Sequence, residues 1–270
     1  MRPDSPSKSA HKRAYVTLVT NDAFAVGARA LARSIQASGS TAPLVVMTTF
    51  ASAAVDALTA FNVELVDVRA PEVSAAFVQR HAKEQIHRLN PFTKGTKPAF
   101  HSPLDNFAKL RLWQLTDYDR LVFLDADTLM VRSCDKLFDY PEFSAAPNLY
   151  ETLADMHRLN SGVFVAKPDL ETYARMIRVL DAPEAYWKRT DQTFLETFFP
   201  DWHGMPYLYN CLQYVYINMP ALWSWETVRL IHYQYEKPWQ EVHPKAEQLK
   251  PLIDLWHQVN ESGTLPQWIN

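Results

Sequence analysis

Residues 15–35 read YVTLVTNDAFAVGARALARSI, and this stretch decides the fold. Tyr15 to Val19 is an apolar, β-branched run with the composition of a buried strand. Thr20-Asn21-Asp22 interrupts it with a helix-capping signal, Asn21 or Asp22 being the cap. Phe24, Gly27, Leu31 and Ile35 then recur at helical spacing, and Ser38-Gly39-Ser40 closes the helix. The alternation continues outward, with a strand from Leu44 to Met47, a short helix from Val55 to Phe61 and a strand from Val63 to Val68. The pattern predicts an α/β domain, a Rossmann-like and mostly parallel sheet flanked by helices. Ligands in such sheets bind beyond the carboxyl ends of the strands, where Thr20-Asn21 and Asp125-Ala126-Asp127 both fall.

The second of these ends an apolar run, Leu121-Val122-Phe123-Leu124-Asp125-Ala126-Asp127-Thr128-Leu129-Met130. Alternation along an extended chain points both carboxylates to one side. Two like charges there repel each other and resist burial. A divalent cation removes both problems, because hard oxygen ligands suit Mg²⁺ or Mn²⁺. A metal so held could grip a diphosphate, as nucleotide-sugar transfer requires. Such a pair also caps turns, and phosphatases of the haloacid dehalogenase class use Asp-x-Asp after a similar strand. That class wants Thr or Val where this chain has Leu129, and its motif opens the domain, whereas a three-strand start precedes this one.

Other candidates carry a structural reading beside the functional one. His232 follows an apolar strand (Val228 to His232), where histidine is often structural. Its neutral imidazole could also complete a metal site, and a mixed O/N set fits Mn²⁺ better than Mg²⁺. Lys237 could meet a phosphate as a point charge. Asp191 in Thr190-Asp191-Gln192 caps a helix, or with Gln192 holds sugar hydroxyls and stabilises a cationic sugar centre. Asn160-Ser161-Gly162 reads as a turn before the strand Ser161 to Val165. The segment Phe198 to Trp239 holds twelve Phe, Tyr and Trp residues. Most should be core, with two or three lining an acceptor groove.

Helices are expected from Asn106 to Leu115, Leu170 to Leu180 and Gln192 to Phe198. Leu249, Leu252, Ile253, Trp256 and Val259 mark a further amphipathic helix. The polar stretch from about Glu84 to Ser102, with Asn90-Pro91, Gly95 and Lys97-Pro98, reads as a long loop over the site. Residues 1–12 read as a disordered tail, 13–240 as one catalytic domain and 241–270 as a helical extension packed on it.

Composition narrows the partners. The 270 residues carry a net charge of −3, so no basic surface argues for nucleic acid. Cys134 and Cys211 are too few for a disulfide framework or a cysteine-rich zinc site. The tail lacks an apolar signal-peptide core, and no run approaches the ~20 apolar residues of a membrane span. A soluble cytoplasmic protein is the expectation.

In this order the motifs resemble glycosyltransferase family 8, with its glycogenin and galactinol synthase branches. The residues that carry the likeness are 15–24, Lys109-Leu110-Arg111-Leu112-Trp113, 123–129, Ser144-Ala145-Ala146-Pro147, 160–165, Asp191-Gln192, Phe198-Phe199, and His232-Tyr233 with Lys237-Pro238-Trp239. The resemblance implies a type-A glycosyltransferase fold, a UDP-sugar donor, Mn²⁺ with Mg²⁺ as a substitute, and retention at the anomeric carbon. It implies transfer of a hexose from UDP-glucose or UDP-galactose to a small polyol, sugar or glycan, and a homodimer. By position, Leu18, Thr20 and Asn21 would hold the uridine, with Phe24 where the family has a tyrosine near the base. Asp125, Asp127 and His232 would bind the metal. Lys109 and Lys237 would meet donor sugar and diphosphate, and Asn160, Ser161, Asp191 and Gln192 would line the sugar. Asp191, Gln192 and Lys109 are the implied catalytic residues, Asp191 being the nucleophile if retention is covalent and same-face attack the other route. This chain departs from the glycogenin pattern at Lys188, where that branch has an aspartate on the sugar, and lacks its phosphate-side glycine after His232. Tyr216, four residues before Pro220, offers the alternative of a self-glucosylating primer.

Overall fold

The computed structural model describes residues 12–89 and 97–269. The expected tail lies outside them except for Lys12, whose backbone N–H donates to Asp119 (2.8 Å). Among the described residues ten strands are formed: β1 (Arg13–Val19), β2 (Leu44–Thr48), β3 (Val63–Asp67), β4 (Arg120–Leu124), β5 (Thr128–Met130), β6 (Ser144–Pro147), β7 (Leu159–Ala166), β8 (His203–Gly204), β9 (Cys211–Leu212) and β10 (Leu230–His232). The helices are α1 (Asp22–Ala37), α2 (Ala53–Asp56), α3 (Ala75–Arg80), α4 (Lys83–Leu89), α5 (Leu170–Leu180), α6 (Asp191–Phe198), α7 (Gln213–Asn218) and α8 (Ala246–Ser262).

Seven strands make the main sheet, ordered β3-β2-β1-β4-β7-β6-β8. The first four run parallel and β7 is antiparallel to both β4 and β6. From β1 the chain passes to β2 on one side and later returns to β4 on the other. The carboxyl ends of β1 and β4 therefore flank the crevice where ligands collect in open α/β sheets. A small sheet, β5-β10-β9, stands beside the large one. The chain enters it directly from β4 through Asp125-Ala126-Asp127.

The β1–α1 unit forms as its residues dictate. Asn21 is the cap: its side chain accepts the Phe24 N–H at 3.2 Å. Gly39 closes the far end at φ 78°, a left-handed conformation that glycine adopts without steric cost. Midway, Gly27 lets α1 touch the acidic turn. A β-carbon there would lie 2.4 Å from the Ala126 carbonyl oxygen and 2.8 Å from the Trp239 ring.

Between Leu104 and Gln114 the expected helix winds as a 3-10 helix. Its apolar residues Leu104, Phe107, Leu110 and Trp113 recur every third position, which a three-residue turn stacks on one face. Trp113 is fully buried; its ring lies 5.7 Å from Phe164 and 5.9 Å from Phe199. The same winding aligns Asn106 with Lys109, and both reach the cavity described below.

The long loop is only partly a loop. Lys83–Leu89 is helical, built from residues that all tolerate a helix, and Ile86 is buried beneath it. Residues 90–96, including Asn90-Pro91 and Gly95, lie outside the described residues. Residues 97–102 are irregular. At the other end of the chain, α8 packs on α1 and α7. Arg29 donates to Asn260 (3.0 Å), Arg33 donates to the Glu261 carbonyl (2.7 Å), and the Tyr233 hydroxyl donates to the Leu252 carbonyl (2.7 Å).

Candidate active site

Asp125 and Asp127 converge through a turn, not through extended alternation. After β4 the chain reverses, with the Thr128 N–H and hydroxyl both donating to the Asp125 carbonyl (3.0 and 2.7 Å). The turn is tied to both sheets. Asp125 N–H donates to the Gly162 carbonyl on β7 (2.8 Å), and Tyr233 N–H, just after β10, donates to the Asp127 carbonyl (2.9 Å).

His232, the last residue of β10, faces the pair. Its Nε2 is 3.2 Å from Asp127 Oδ1 and 3.9 Å from Asp125 Oδ2. One ligand atom from each of the three residues lies within 4.8 Å of the others. Ligands ~2.1 Å from an octahedral ion stand roughly 3 Å apart, so the set fits a small divalent ion with little adjustment. The oxygen and nitrogen donors suit Mn²⁺ or Mg²⁺.

A chain of buried amides orients the imidazole. His232 Nδ1 pairs with Asn210 Oδ1 (2.8 Å), Asn210 Nδ2 donates to Asn160 Oδ1 (2.9 Å), and Asn160 Nδ2 donates to Asn148 Oδ1 (2.9 Å). An amide oxygen can only accept, so Nδ1 carries the proton and Nε2 keeps its lone pair toward the carboxylates. Gly162 completes the fit. A β-carbon there would lie 2.4 Å from His232 Cε1.

Two buried lysines answer the acids. Lys109 bridges Asp125 (3.0 Å) and Asp191 (2.7 Å) and donates to the Ser161 carbonyl (3.1 Å). Lys237 pairs with Asp127 Oδ2 and donates to the Tyr233 carbonyl (2.8 Å). Burial disfavours charge on Lys109, but Asp125 and Asp191 outweigh it and hold the ammonium above its usual range. Burial would also raise Asp127, but Lys237 and His232 keep its carboxyl well below the ordinary range. Asp125 is different: burial raises it, and Lys109 does not fully compensate.

Asp191 opens α6 with both oxygens engaged. Oδ2 accepts from Lys109 and from the Ser161 hydroxyl (2.7 Å), and Oδ1 accepts from Thr190 (2.9 Å). Thr190 sits at φ 50°, unfavourable for a β-branched residue, and holds that strain next to the carboxylate. Tyr235, three residues after His232, takes φ 68°.

These groups line one cavity of about 490 Å³. It reaches Leu18, Thr20 and Phe24 at the end of β1 and the start of α1, and Lys109, Asn160, Ser161, Asp191, Gln192, His232 and Lys237. Asn21 does not line it: its side chain caps α1 and donates to the Phe100 carbonyl (3.1 Å). Of the twelve aromatics in Phe198 to Trp239, two or three of which were expected to line a groove, Tyr235 is the one among the described lining residues, and Tyr150, from outside that segment, joins it. Tyr216 is half-buried against Trp223 and Trp225 and is not part of the lining. Asn160-Ser161-Gly162 lies inside β7, not in a turn before it. The residues the sequence reading missed are Asn148, Asn210, Arg158, Lys97 and Arg189. Asn210 sits inside the aromatic-rich segment, where its tyrosine neighbours dominate the local pattern.

With the geometry in place, comparison with known proteins decides the family. Residues 15–243 match the model of glycosyl transferase family 8. The chain belongs to glycosyl transferase family 8. Within the family it is 33% identical over 243 residues to a putative UDP-glucuronate:xylan alpha-glucuronosyltransferase 5 of Arabidopsis thaliana, covering 87% of this chain and 38% of that protein. It is 33% identical over 285 residues to human glycogenin-1, covering 94% of this chain and 73% of that one. The galactosyltransferase LgtC, solved with donor and acceptor sugar analogs, superposes with a TM-score of 0.57 at 17% identity, over 89% of this chain and 95% of that one. That likeness shows the type-A glycosyltransferase fold, and family membership sets the phosphatase alternative aside. Among the described residues no helix is long and apolar enough to cross a membrane.

Proposed function

We propose that this family 8 protein is a retaining, metal-dependent transferase that moves a hexosyl unit from a UDP-sugar, UDP-glucose or UDP-galactose, to a small polyol, sugar or glycan. The observation that carries the reading is the convergence of Asp125, Asp127 and His232 on one cavity wall with Lys109 and Lys237. Asp125, Asp127 and His232 would hold Mn²⁺ or Mg²⁺. Bound there, the ion supplies positive charge for the diphosphate oxygens as the glycosidic bond lengthens. Leu18, Thr20 and Phe24 offer an apolar and hydroxyl-lined slot for the uracil and ribose.

The reaction breaks the bond between the anomeric carbon and the diphosphate oxygen, and UDP departs with the electron pair. The acceptor hydroxyl oxygen bonds to that carbon, and its proton passes to an oxygen of the leaving diphosphate. Lys237 lies beside the diphosphate position and stabilises the charge that develops there. Asp191 and the Gln192 side chain face the cationic sugar centre. Asp191 accepts three hydrogen bonds from Lys109, Ser161 and Thr190, and a carboxylate so engaged is a weak nucleophile. This supports same-face attack over a covalent intermediate, with Asp191 holding Lys109 in place. The cavity gives no support to Tyr216 as its own acceptor, since Tyr216 does not line it.

The test is UDP release across a panel of UDP-sugars with Mn²⁺, Mg²⁺ or EDTA, with and without myo-inositol and simple sugars. Metal-dependent release from a UDP-hexose is expected. Equal turnover in EDTA, or hydrolysis of generic phosphomonoesters without UDP-sugar, would overturn the reading.

A further inference from the structure

His232 and Lys237 are separated by only Tyr233, Gln234, Tyr235 and Glu236, yet their side chains converge on one carboxylate. His232 Nε2 is 3.2 Å from Asp127 Oδ1, and Lys237 Nζ pairs with Oδ2. Extended chain would carry the two Cα atoms about 16 Å apart. The segment folds back instead, so that Lys237 Nζ also donates to the Tyr233 carbonyl (2.8 Å). Tyr235, inside the reversal, takes φ 68°. That left-handed conformation is disfavoured for any residue with a β-carbon, and it persists only where neighbouring structure enforces it.

The enforcement comes from the first two residues of α7 and from the residue before α8. Gln213 is fully buried, and its Nε2 donates to the carbonyls on either side of Tyr235, those of Gln234 (2.6 Å) and Glu236 (3.2 Å). The Tyr214 hydroxyl donates to Glu236 Oε2 (2.6 Å) and accepts from Lys245 Nζ (2.6 Å), which lies 3.8 Å from Glu236 Oε1. The Tyr214 and Tyr235 rings meet edge to face at 5.7 Å. Glu236 is buried. A buried carboxylate is costly unless hydrogen bonds and an opposite charge answer it, so these partners confine it to one place.

The network stands behind the cavity wall. Gln234, Tyr235 and Lys237 are among the described lining residues, whereas Gln213, Tyr214, Glu236 and Lys245 are not. The candidate metal ligands are held by other bonds. Tyr233 N–H fixes the Asp127 carbonyl, β5 pairs with His232, and Asn210 orients its ring. Loss of the Glu236 carboxylate would therefore release Lys237 and leave the metal ligands in place.

We propose that Glu236, clamped by Tyr214 and Lys245, is a positioning residue that holds the Lys237 ammonium at the diphosphate position. The inference rests on the UDP-sugar reading above and adds to it a buried network through which α7 and the start of α8 bear on the leaving group.

The test is kcat and KM for Mn²⁺-dependent UDP release from the UDP-sugar that the panel above selects, with Mn²⁺ affinity measured on each variant. Glu236→Ala should lower kcat about tenfold or more, the scale of a displaced reacting group, with KM within about threefold and Mn²⁺ affinity not reduced. Glu236→Gln, whose amide oxygen still accepts from Tyr214, should restore kcat to within about threefold of wild type. Tyr214→Phe removes one oxygen and keeps the ring, and should lower kcat about fivefold. In a Lys237→Met background, Glu236→Ala should cost no more than about twofold, because the residue it positions is gone. A kcat within about twofold of wild type in Glu236→Ala, or in Tyr214→Phe should Glu236→Ala not fold, would overturn the proposal and leave the transferase reading intact. A full additional loss in the Lys237→Met background, or a fall in Mn²⁺ affinity as large as that in kcat, would also overturn it, making the network a prop for the fold or for the metal ligands. No UDP release from any UDP-sugar by the unaltered chain would overturn both readings.

Discussion

The floor and the rim of the cavity are built on opposite terms. At the floor, His232, Asp127, Lys109 and Lys237 are buried and each is held by named partners. Gly27 and Gly162 clear the space that lets α1 and β7 approach the acidic turn and His232. At the rim, Lys188 and Arg189 are exposed and Arg158 has an unpartnered nitrogen. The floor is over-determined and the rim under-determined. A chemistry common to many substrates can be fixed in the core of a fold, while the choice of substrate sits on residues that can change at little structural cost.

The contrast can be broken most directly at the floor. Asp127→Asn removes a proposed ligand and the counter-charge of buried Lys237, and UDP release should fall by about a thousandfold or more. Mn²⁺ binding followed by electron paramagnetic resonance should be lost with it. Gly162→Ala adds no charge and removes no donor, yet its methyl group occupies His232 Cε1 space. Activity and Mn²⁺ affinity should fall roughly 10- to 100-fold, with the circular dichroism spectrum unchanged. Asn210→Leu, which frees the imidazole to choose the wrong tautomer, should cost about tenfold in Mn²⁺ affinity, and Asn210→Asp should retain most of it. Full Mn²⁺ affinity in Asn210→Leu would show that the amide chain is ornamental.

One residue couples the rim to the core. His81 on the end of α3 is buried; its Nε2 accepts the Trp187 N–H (2.9 Å) and its Nδ1 pairs with the Phe77 carbonyl (3.0 Å). Burial lowers its pKa below the usual imidazole range, against the Phe77 bond. The unfolded chain therefore takes up the proton first as pH falls. Stability contributed by neutral His81 is full above about pH 6.5 and declines as pH drops below it, until the folded-state pKa is passed. Urea midpoints at pH 7.5 and 5.5 should show this decline, and His81→Gln should flatten it. The smallest effects belong to the rim itself. Lys188→Ala and Arg189→Ala should shift folding stability by no more than about 0.5 kcal/mol in denaturant titrations.

Legibility in the sequence followed the same division. The β1–α1 unit could be read because strand composition, cap and helical period sit within 21 consecutive residues. The acid pair could be read as chemistry, but not its geometry: the convergence comes from a turn fixed by β7 and β10, more than 30 residues away. The three-residue period Leu104-Phe107-Leu110-Trp113 was on the page, and only an assumed 3.6-residue turn hid the 3-10 helix. Asn210 carried no local signal, because its role exists only where β9, β10 and β7 meet. Asn21 shows the converse: a position carried over from a family motif whose side chain is spent on a helix cap and on Phe100.

The packing of α8 has a practical consequence. The family match stops at residue 243, three residues before α8 begins. A fragment trimmed to that boundary would retain every proposed ligand. It would lose the carbonyl that anchors Tyr233, directly after His232, and the Trp256 ring beside Trp239. Sequence likeness and mechanical support therefore end at different places along this chain, and the ion would be the first to register the difference.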